Sequence, residues 1–257
     1  MSILSVNDVT HLYFSKNSKT TALMDISLSI EEGEFVSLIG PSGCGKSTLL
    51  SIIAGLISPT VGKVVIEGET VQENKKQIGY MLQQDYLFPW KTIKENILLG
   101  LKINGKLTAE KTTQSLQLLA EIGLSGVEEQ FPTQLSGGMR QRVALVRTLA
   151  TNPKLLLLDE PFSALDYQTK LKLEDLVFEI LKQYKKTALL VTHDIGEAIA
   201  MSDRIILMSK GPGTIFKVFT IPDELKQLTP FEARNHPNYN EYFQQIWKEL
   251  ESFETEN

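Results

Sequence analysis

The sequence predicts an α/β fold: a parallel-sheet core flanked by helices, preceded by an antiparallel β part and interrupted by a helical block. Three observations predict it. Residues 34–56, EFVSLIGPSGCGKSTLLSIIAGL, read as a buried strand, a tight glycine loop and a helix with Leu49, Leu50, Ile53 and Leu56 on one face. Two more unbroken apolar runs, LLLL before Asp159 and TALLV before His193, suit strands covered on both faces. Residues 92–151 keep helical spacing instead, which marks them as an inserted helical subdomain.

In chain order, ILSVNDVTHLYF and DISLSI form short β pieces around the polar loop SKNSKTT, a hairpin-rich sheet feeding the glycine loop. Tyr13 ends the first piece, where its ring could stack on a base or simply pack; His11 reads as surface or strand filler. Beyond the first helix, GKVVIEGETV is a strand turned at Gly62 and Gly68, and KQIGYMLQ a strand ending at Gln83. In QDYLFPWKT, Leu87, Phe88 and Trp90 cluster around Pro89, either tucked beneath a loop or offered to a partner. Thr92 caps one helix, and Thr108 caps a second with Leu116, Leu119 and Ile122 as its buried stripe and Gly123 as its stop. Ser136 precedes two glycines and a long helix that Asn152 and Pro153 end. A helix from about Tyr167 to Tyr184, the short helix IGEAIAMSD, and strands RIILMS and TIFKVF around KGPG complete the body. In the tail, Tyr239, Tyr242, Phe243, Ile246, Trp247, Leu250 and Phe253 recur at helical spacing. They predict a docking helix over the body, with a partner-binding helix as the alternative.

The 257 residues suffice for one large domain or a domain with a subdomain. A formal charge of −5 argues against broad nucleic-acid binding. Cys44 stands alone, so no internal disulfide is expected, and its small side chain reads as tolerated rather than redox-active. MSILSVNDV lacks the pattern of a signal peptide. The longest uncharged stretch, Ser47 to Gly62, contains Gly55, Pro59 and Gly62 and falls short of the roughly 20 apolar residues of a membrane span. Any work at a membrane would need another chain.

The glycine loop carries the first chemistry. Gly40, Gly43 and Gly45 let the backbone lay its N–H groups around a polyphosphate, with the positive end of the following helix aimed at the same anion. Lys46 adds a full charge, and the Ser47 hydroxyl is the expected magnesium ligand, so a nucleoside triphosphate is the expected substrate. Asp159 and Glu160 close a buried strand, where ligands bind in open α/β sheets. Asp159 can hold magnesium and Glu160 can polarise a water for attack on the γ-phosphate. His193 ends a neighbouring strand in the same crevice, and Gln83 can complete the metal shell. LSGGMRQR, with Ser136, Gly137 and Gly138 at a helix start, offers a second anion site, which suggests that two chains hold each nucleotide.

GPSGCGKST, Gln83, LSGGMRQR, LLLLDEP, SALD at 163–166 and His193, in that order and spacing, resemble the nucleotide-binding subunit of an ABC transporter over about residues 3–220. The resemblance implies a P-loop NTPase cassette with a RecA-like core over residues 1–221 and a C-terminal tail over 222–257. It implies an ATPase using ATP and Mg²⁺, at the cytoplasmic face of the membrane. ATP would lie on Gly40, Pro41, Ser42, Gly43, Cys44, Gly45, Lys46, Ser47 and Thr48, with Tyr13 stacked on adenine. Two copies would pair head to tail, each covering its partner's nucleotide with Ser136, Gly137 and Gly138 and touching it through Asp166. Glu160 would be the catalytic base, with His193 and Gln83 beside it, and Leu87, Phe88 and Trp90 would face the permease.

A finer resemblance, in YMLQQDYLFPW and DEPFSALDYQTK, is to importer subunits for nitrate, sulfonate and taurine, a group that also serves solutes such as thiamin-precursor pyrimidines. A separate solute-binding protein and the permease would select the solute. Gln84 replaces an acid common in that group, and Gly211 an arginine; neither is expected to touch the ATP chemistry. The rival, a soluble ABC ATPase acting on nucleic acid or ribosomes, would call for a long coiled coil, a second cassette or a basic surface. A GTPase would want NKxD, which NKKQ at 74–77 does not supply.

Overall fold

The computed structural model describes residues 2–15, 18–163 and 165–255. The chain opens with two long strands, β1 (Ser2–Phe14) and β2 (Lys19–Glu31), then β3 (Phe35–Ile39) and α1 (Lys46–Ile53) on either side of the glycine loop. A second β excursion, β4 (Val61–Ile66) and β5 (Glu69–Thr70), leads through the single turn α2 (Val71–Asn74) to β6 (Ile78–Met81). Three helices follow, α3 (Ile93–Ile103), α4 (Ala109–Glu121) and α5 (Gly137–Ala150). The chain then alternates β7 (Leu155–Asp159), α6 (Tyr167–Gln183), β8 (Thr187–Val191), α7 (Ile195–Met201), β9 (Arg204–Met208) and β10 (Ile215–Thr220). It closes on α8 (Asp223–Lys226), α9 (Pro230–Arg234) and α10 (Tyr239–Thr255).

Among the described residues the strands form two sheets, an antiparallel one ordered β2-β1-β4-β5 and a six-stranded one ordered β10-β9-β3-β8-β7-β6. The second is parallel except for β10, which runs against β9. Its central strands divide their side chains between two cores with period two. Leu155 and Leu157 of β7 join Leu189 and Val191 of β8 in a core shared with α1 and the antiparallel sheet. Leu156, Leu158 and Leu190 face the other way, into one core with Ile93, Ile97, Leu119, Val143 and Val146 of the helical block. Double coverage is why these strands read as unbroken apolar runs. The helical block therefore shares an apolar core with the sheet.

Thr92 and Thr108 cap α3 and α4 by accepting hydrogen bonds from the N–H groups of Glu95 and Lys111. Three expectations need correction, and the alternative left open at His11 is resolved. Leu56 lies beyond the end of α1 and is 65% exposed, because Gly55 leaves the helical path at φ 67°. The stripe of α4 runs through Leu118 and Leu119, with Leu116 only half-buried. Gly62 is no turn: it sits inside β4, where a Cβ would lie 2.4 Å from the Asp8 carbonyl oxygen. His11 is buried, edge-on to the Tyr13 ring at 4.7 Å, at a point where the β1–β2 register shifts. In α10, Tyr239 and Ile246 are buried against β9, β10 and α7, while Trp247 of the predicted stripe stays half-exposed, stacked on Phe243.

Candidate active site

The glycine loop leaves β3 at Gly40 and enters α1 at Lys46. Gly45 at φ 96° is the residue just before the helix, and a Cβ there would press to 2.6 Å from Leu23 Cδ2. Gly43 at φ 77° is different, since its missing Cβ would point into open space, so conformation alone asks for glycine there. No side chain caps α1, which leaves its first N–H groups without a side-chain acceptor. Lys46 Nζ donates to the carbonyl oxygens of Gly40 and Pro41 at 2.8 and 3.1 Å. A cavity of about 770 Å³ runs from Tyr13 across Ser42, Gly43 and Gly45–Thr48 to Glu160. The Tyr13 hydroxyl lies 3.3 Å from Thr48 Oγ1, so the half-exposed ring borders that cavity. Cys44 is buried beneath the loop.

At the end of β7 the two acids diverge. Asp159 is half-covered, and burial pushes its carboxyl above the usual range against a hydrogen bond from the Tyr80 hydroxyl at 3.4 Å. Glu160 adopts the left-handed backbone, φ 46°, while its N–H donates to the Val191 carbonyl at 2.8 Å. A non-glycine residue held there is strained, and such strain concentrates at functional sites. One oxygen of Glu160, Oε2, lies 3.2 Å from both Gln83 Nε2 and His193 Nδ1. Gln83 Nε2 also reaches Ser163 Oγ at 3.2 Å.

These residues line a second cavity of about 630 Å³ together with Gly137. Glu160 borders both cavities. Ser136 caps α5 by accepting from the Met139 N–H, and Gly138 packs on α6, where a Cβ would meet Thr169 Cγ2 at 2.8 Å. Ser136, Gly137, Gly138 and Asp166 do not line the phosphate-loop cavity; Gly137 and Leu165 line the second. Asp166 caps α6, and hydrogen bonds from Thr169 hold its exposed carboxyl below the usual range. Ala164 of the SALD segment lies outside the described residues.

The loop after Gln83 splits the predicted apolar cluster. Leu87 is buried, Phe88 is partly covered, and Trp90 is 69% exposed, its ring 5.3 Å from that of Phe88. Buried Asn96 holds the loop: its Oδ1 accepts from the Phe88 N–H at 2.7 Å, and its Nδ2 donates to the carbonyls of Phe88 and Thr92. Arg140 pairs with Asp85 at 2.9 Å, and Arg147 donates to the carbonyls of Asp85 and Tyr86. The loop is thereby clamped to α3 and α5, the helix that Ser136 caps.

Residues 23–163, more than half the chain, match the family model described as ABC transporter. The chain belongs to that family of ATP-binding cassettes. The cassette is 64% identical over 254 residues to the uncharacterized ABC transporter ATP-binding protein YtlC of Bacillus subtilis, covering 99% of this chain and 98% of that one. It is 42% identical over 253 residues to the aliphatic sulfonates import ATP-binding protein SsuB of Bacillus cereus, covering 98% of this chain and 96% of that one. A solved dimeric ATP-binding cassette in a post-hydrolysis state, bound to ADP and Pi, superposes with a TM-score of 0.75 at 35% identity. That match covers 85% of this chain and 99% of the solved one. The protein is an ABC-type ATPase that binds ATP.

Two segments of the cassette lie nearer the candidate site than the sequence suggested. Gly211 and Pro212 of the KGPG turn line the phosphate-loop cavity, and Gln84 lines the second. Both departures noted above thus border the chemistry, because the turn is tied to β2 by hydrogen bonds between Gly213 and the backbone of Ala22 and Met24. Tyr80, Asn96, Arg140 and Arg147 were missed altogether. Tyr80, Arg140 and Arg147 act across long sequence separations, whereas Asn96 acts locally, and its hint was a polar residue inside the apolar α3 pattern. For magnesium, oxygen donors suit a hard cation. The partly buried Asp159, with the Lys46 ammonium among the charges acting on it, fits such a group beside the phosphate loop.

Proposed function

We propose that the cassette is the ATP-hydrolysing subunit of an importer for a small solute, acting as an ATP-dependent dimer docked on permease subunits at the cytoplasmic membrane face. No helix among the described residues is long and apolar enough to cross a membrane, so on this reading the pathway belongs to other chains. In the same reading the cassette spans 1–221 with a helical subdomain at about 92–151, and 222–257 is a tail. The name of the sulfonate import relative supports the importer class. Solutes of the sulfonate, nitrate or taurine kind, or a thiamin-precursor-like molecule, are the expected cargo, delivered by a solute-binding protein. The exposed Phe88 and Trp90, on a loop pinned by Asn96, form the surface offered to the permease.

The observation that carries the dimer is a phosphate-loop cavity lined by none of Ser136, Gly137, Gly138 and Asp166, in a cassette similar to a solved dimer. A second copy would complete the cavity with its own Ser136, Gly137, Gly138 and Asp166. Ser47, Gln83 and Asp159 would hold magnesium, which supplies positive charge to the phosphates. Lys46 adds charge at the same end. Glu160 takes the proton of the attacking water, and His193 and Gln83 orient the carboxylate through their shared contact with Oε2.

Glu160→Gln tests this reading. It should keep ATP binding within a few-fold, lower turnover by at least about 10²-fold, and trap a nucleotide-dependent dimer in size-exclusion chromatography. Turnover at the parent rate, or a monomer at high protein and nucleotide concentration, would sink it. A photocrosslinker at position 90 should recover a membrane protein; recovery of DNA or ribosomes would overturn the importer.

A further inference from the structure

Behind His193, outside the reacting groups, charged side chains from three helices converge. Lys170, in the first turn of α6, lies 2.6 Å from Asp194 Oδ2 and 2.6 Å from Glu197 Oε1. Glu197 is 3% exposed, and its other oxygen accepts from the Thr192 hydroxyl. The Asp194 N–H returns to Thr192 Oγ1 at 3.0 Å. His193 therefore stands between two residues whose side chains are both fixed by one ion cluster. One turn along α6, the fully buried Glu174 has Arg234 Nη1 2.6 Å from its Oε2. Burial pushes the Glu174 carboxyl up to about 7, and the Arg234 charge opposes that shift. Arg234 ends α9, in the C-terminal segment. The same segment reaches the phosphate loop: a cavity of about 420 Å³ has Gly40, Pro41 and His193 on one wall and Phe243 and Trp247 of α10 on the other.

We propose that Lys170 and Arg234 are positioning residues for hydrolysis. Lys170 fixes the Thr192–Asp194 loop and thereby the approach of His193 to Glu160; Arg234, by compensating Glu174, keeps the first turns of α6 in place. The C-terminal segment then belongs to the working ATPase. The physical basis is the cost of an uncompensated buried charge. Without the Lys170 ammonium, the carboxylates of Asp194 and Glu197 face each other across the gap it filled, and the loop must shift to separate them. The proposal rests on Glu160 and His193 acting as proposed above.

The test is ATP turnover by full-length Lys170→Met, Lys170→Arg, Arg234→Met and Arg234→Lys, each with and without His193→Ala. Displacement of a reacting group by about 1 Å costs up to about 10²-fold. Lys170→Met should accordingly lower kcat about tenfold or more with KM for ATP changed less than about threefold. Lys170→Arg should restore part of the loss. In the His193→Ala background, Lys170→Met should cost under about twofold, the non-additivity expected of groups acting through one another. The ring signals of the three histidines supply a second reading by NMR. His193 should shift in Lys170→Met and Arg234→Met while His11 stays put, and in Lys170→Met His236 should stay put as well. Equal losses in both backgrounds, a raised KM at unchanged kcat, or an unmoved His193 signal would overturn the proposal. If the Met variants do not fold, Arg at 170 and Lys at 234 carry the same comparison. If His193→Ala alone leaves turnover intact, the assignment of His193 fails instead, which separates the two readings.

Discussion

Two helix starts in this cassette use the same materials to opposite ends. At α1 the glycines adopt left-handed backbone, no side chain caps the helix, and a lysine lies over the loop. At α5 the glycines are already helical, and Ser136 caps its own helix. The first start is thus organised for an anion within the chain. The second accepts a neighbouring N–H on its hydroxyl oxygen and keeps its O–H free to donate, in the proposed dimer, to a phosphate on the partner. Glycine spacing alone does not distinguish them; backbone geometry does.

The widest separation should come from side-chain deletion. Lys46→Ala should weaken ATP binding by a monomer about 10- to 100-fold, the worth of a charged hydrogen-bond donor. Ser136→Ala should change that binding by less than about twofold while cutting turnover tenfold or more, since in the proposed dimer the removed group meets only the partner's nucleotide. Nucleotide titration at low protein concentration, set beside turnover at high concentration, reads both. Equal weakening by the two variants would mean that the starts serve one nucleotide in one chain.

A smaller contrast lies in stability. Gly45→Ala should cost about 1–2 kcal/mol or more, because it forces a left-handed alanine and a contact at 2.6 Å. Gly137→Ala should cost nothing or add a few tenths of a kcal/mol through helix propensity, since the nearest atom to its Cβ is Arg140 Nη2 at 4.0 Å. Urea midpoints measure both, and a reversed order would contradict the assigned conformations.

The smallest effect is a difference in pH response. The Asp159 carboxyl is raised, so its contribution to stability is present below the unfolded pKa and lost as pH rises through the folded one. Asp166 is lowered, so its contribution is present above the unfolded pKa and lost as pH falls through the folded one. Asp159→Asn should therefore gain on the parent between acid and neutral pH, whereas Asp166→Asn should lose ground over the same interval. Unfolding midpoints measured from pH 3 to 7 would show curves of opposite slope, and parallel curves would remove the contrast.

Much of this was legible from sequence because it is local. The glycine loop between β3 and α1, the paired acids after four leucines, and the threonine caps all declare themselves within a few residues. What stayed hidden is relational. Nothing near Tyr80 announces a hydroxyl aimed at Asp159, since the two meet only when β6 pairs with β7. The left-handed backbone of Glu160 is invisible because no residue type there demands it. Leu56 and Leu116 were misplaced for a simpler reason: periodicity fixes a stripe but not where a helix stops or how it rolls on its neighbours.

Gly213 imposes a rule on traffic. Any side-chain carbon there would sit 2.0 Å from the Cys44 carbonyl oxygen, so the KGPG turn rests directly against the phosphate loop and leaves no slack on that flank. Tyr13 borders the same cavity, and on the proposed reading a nucleotide would pass its ring. Bulk introduced near that ring would throttle exchange while sparing the bond-breaking step.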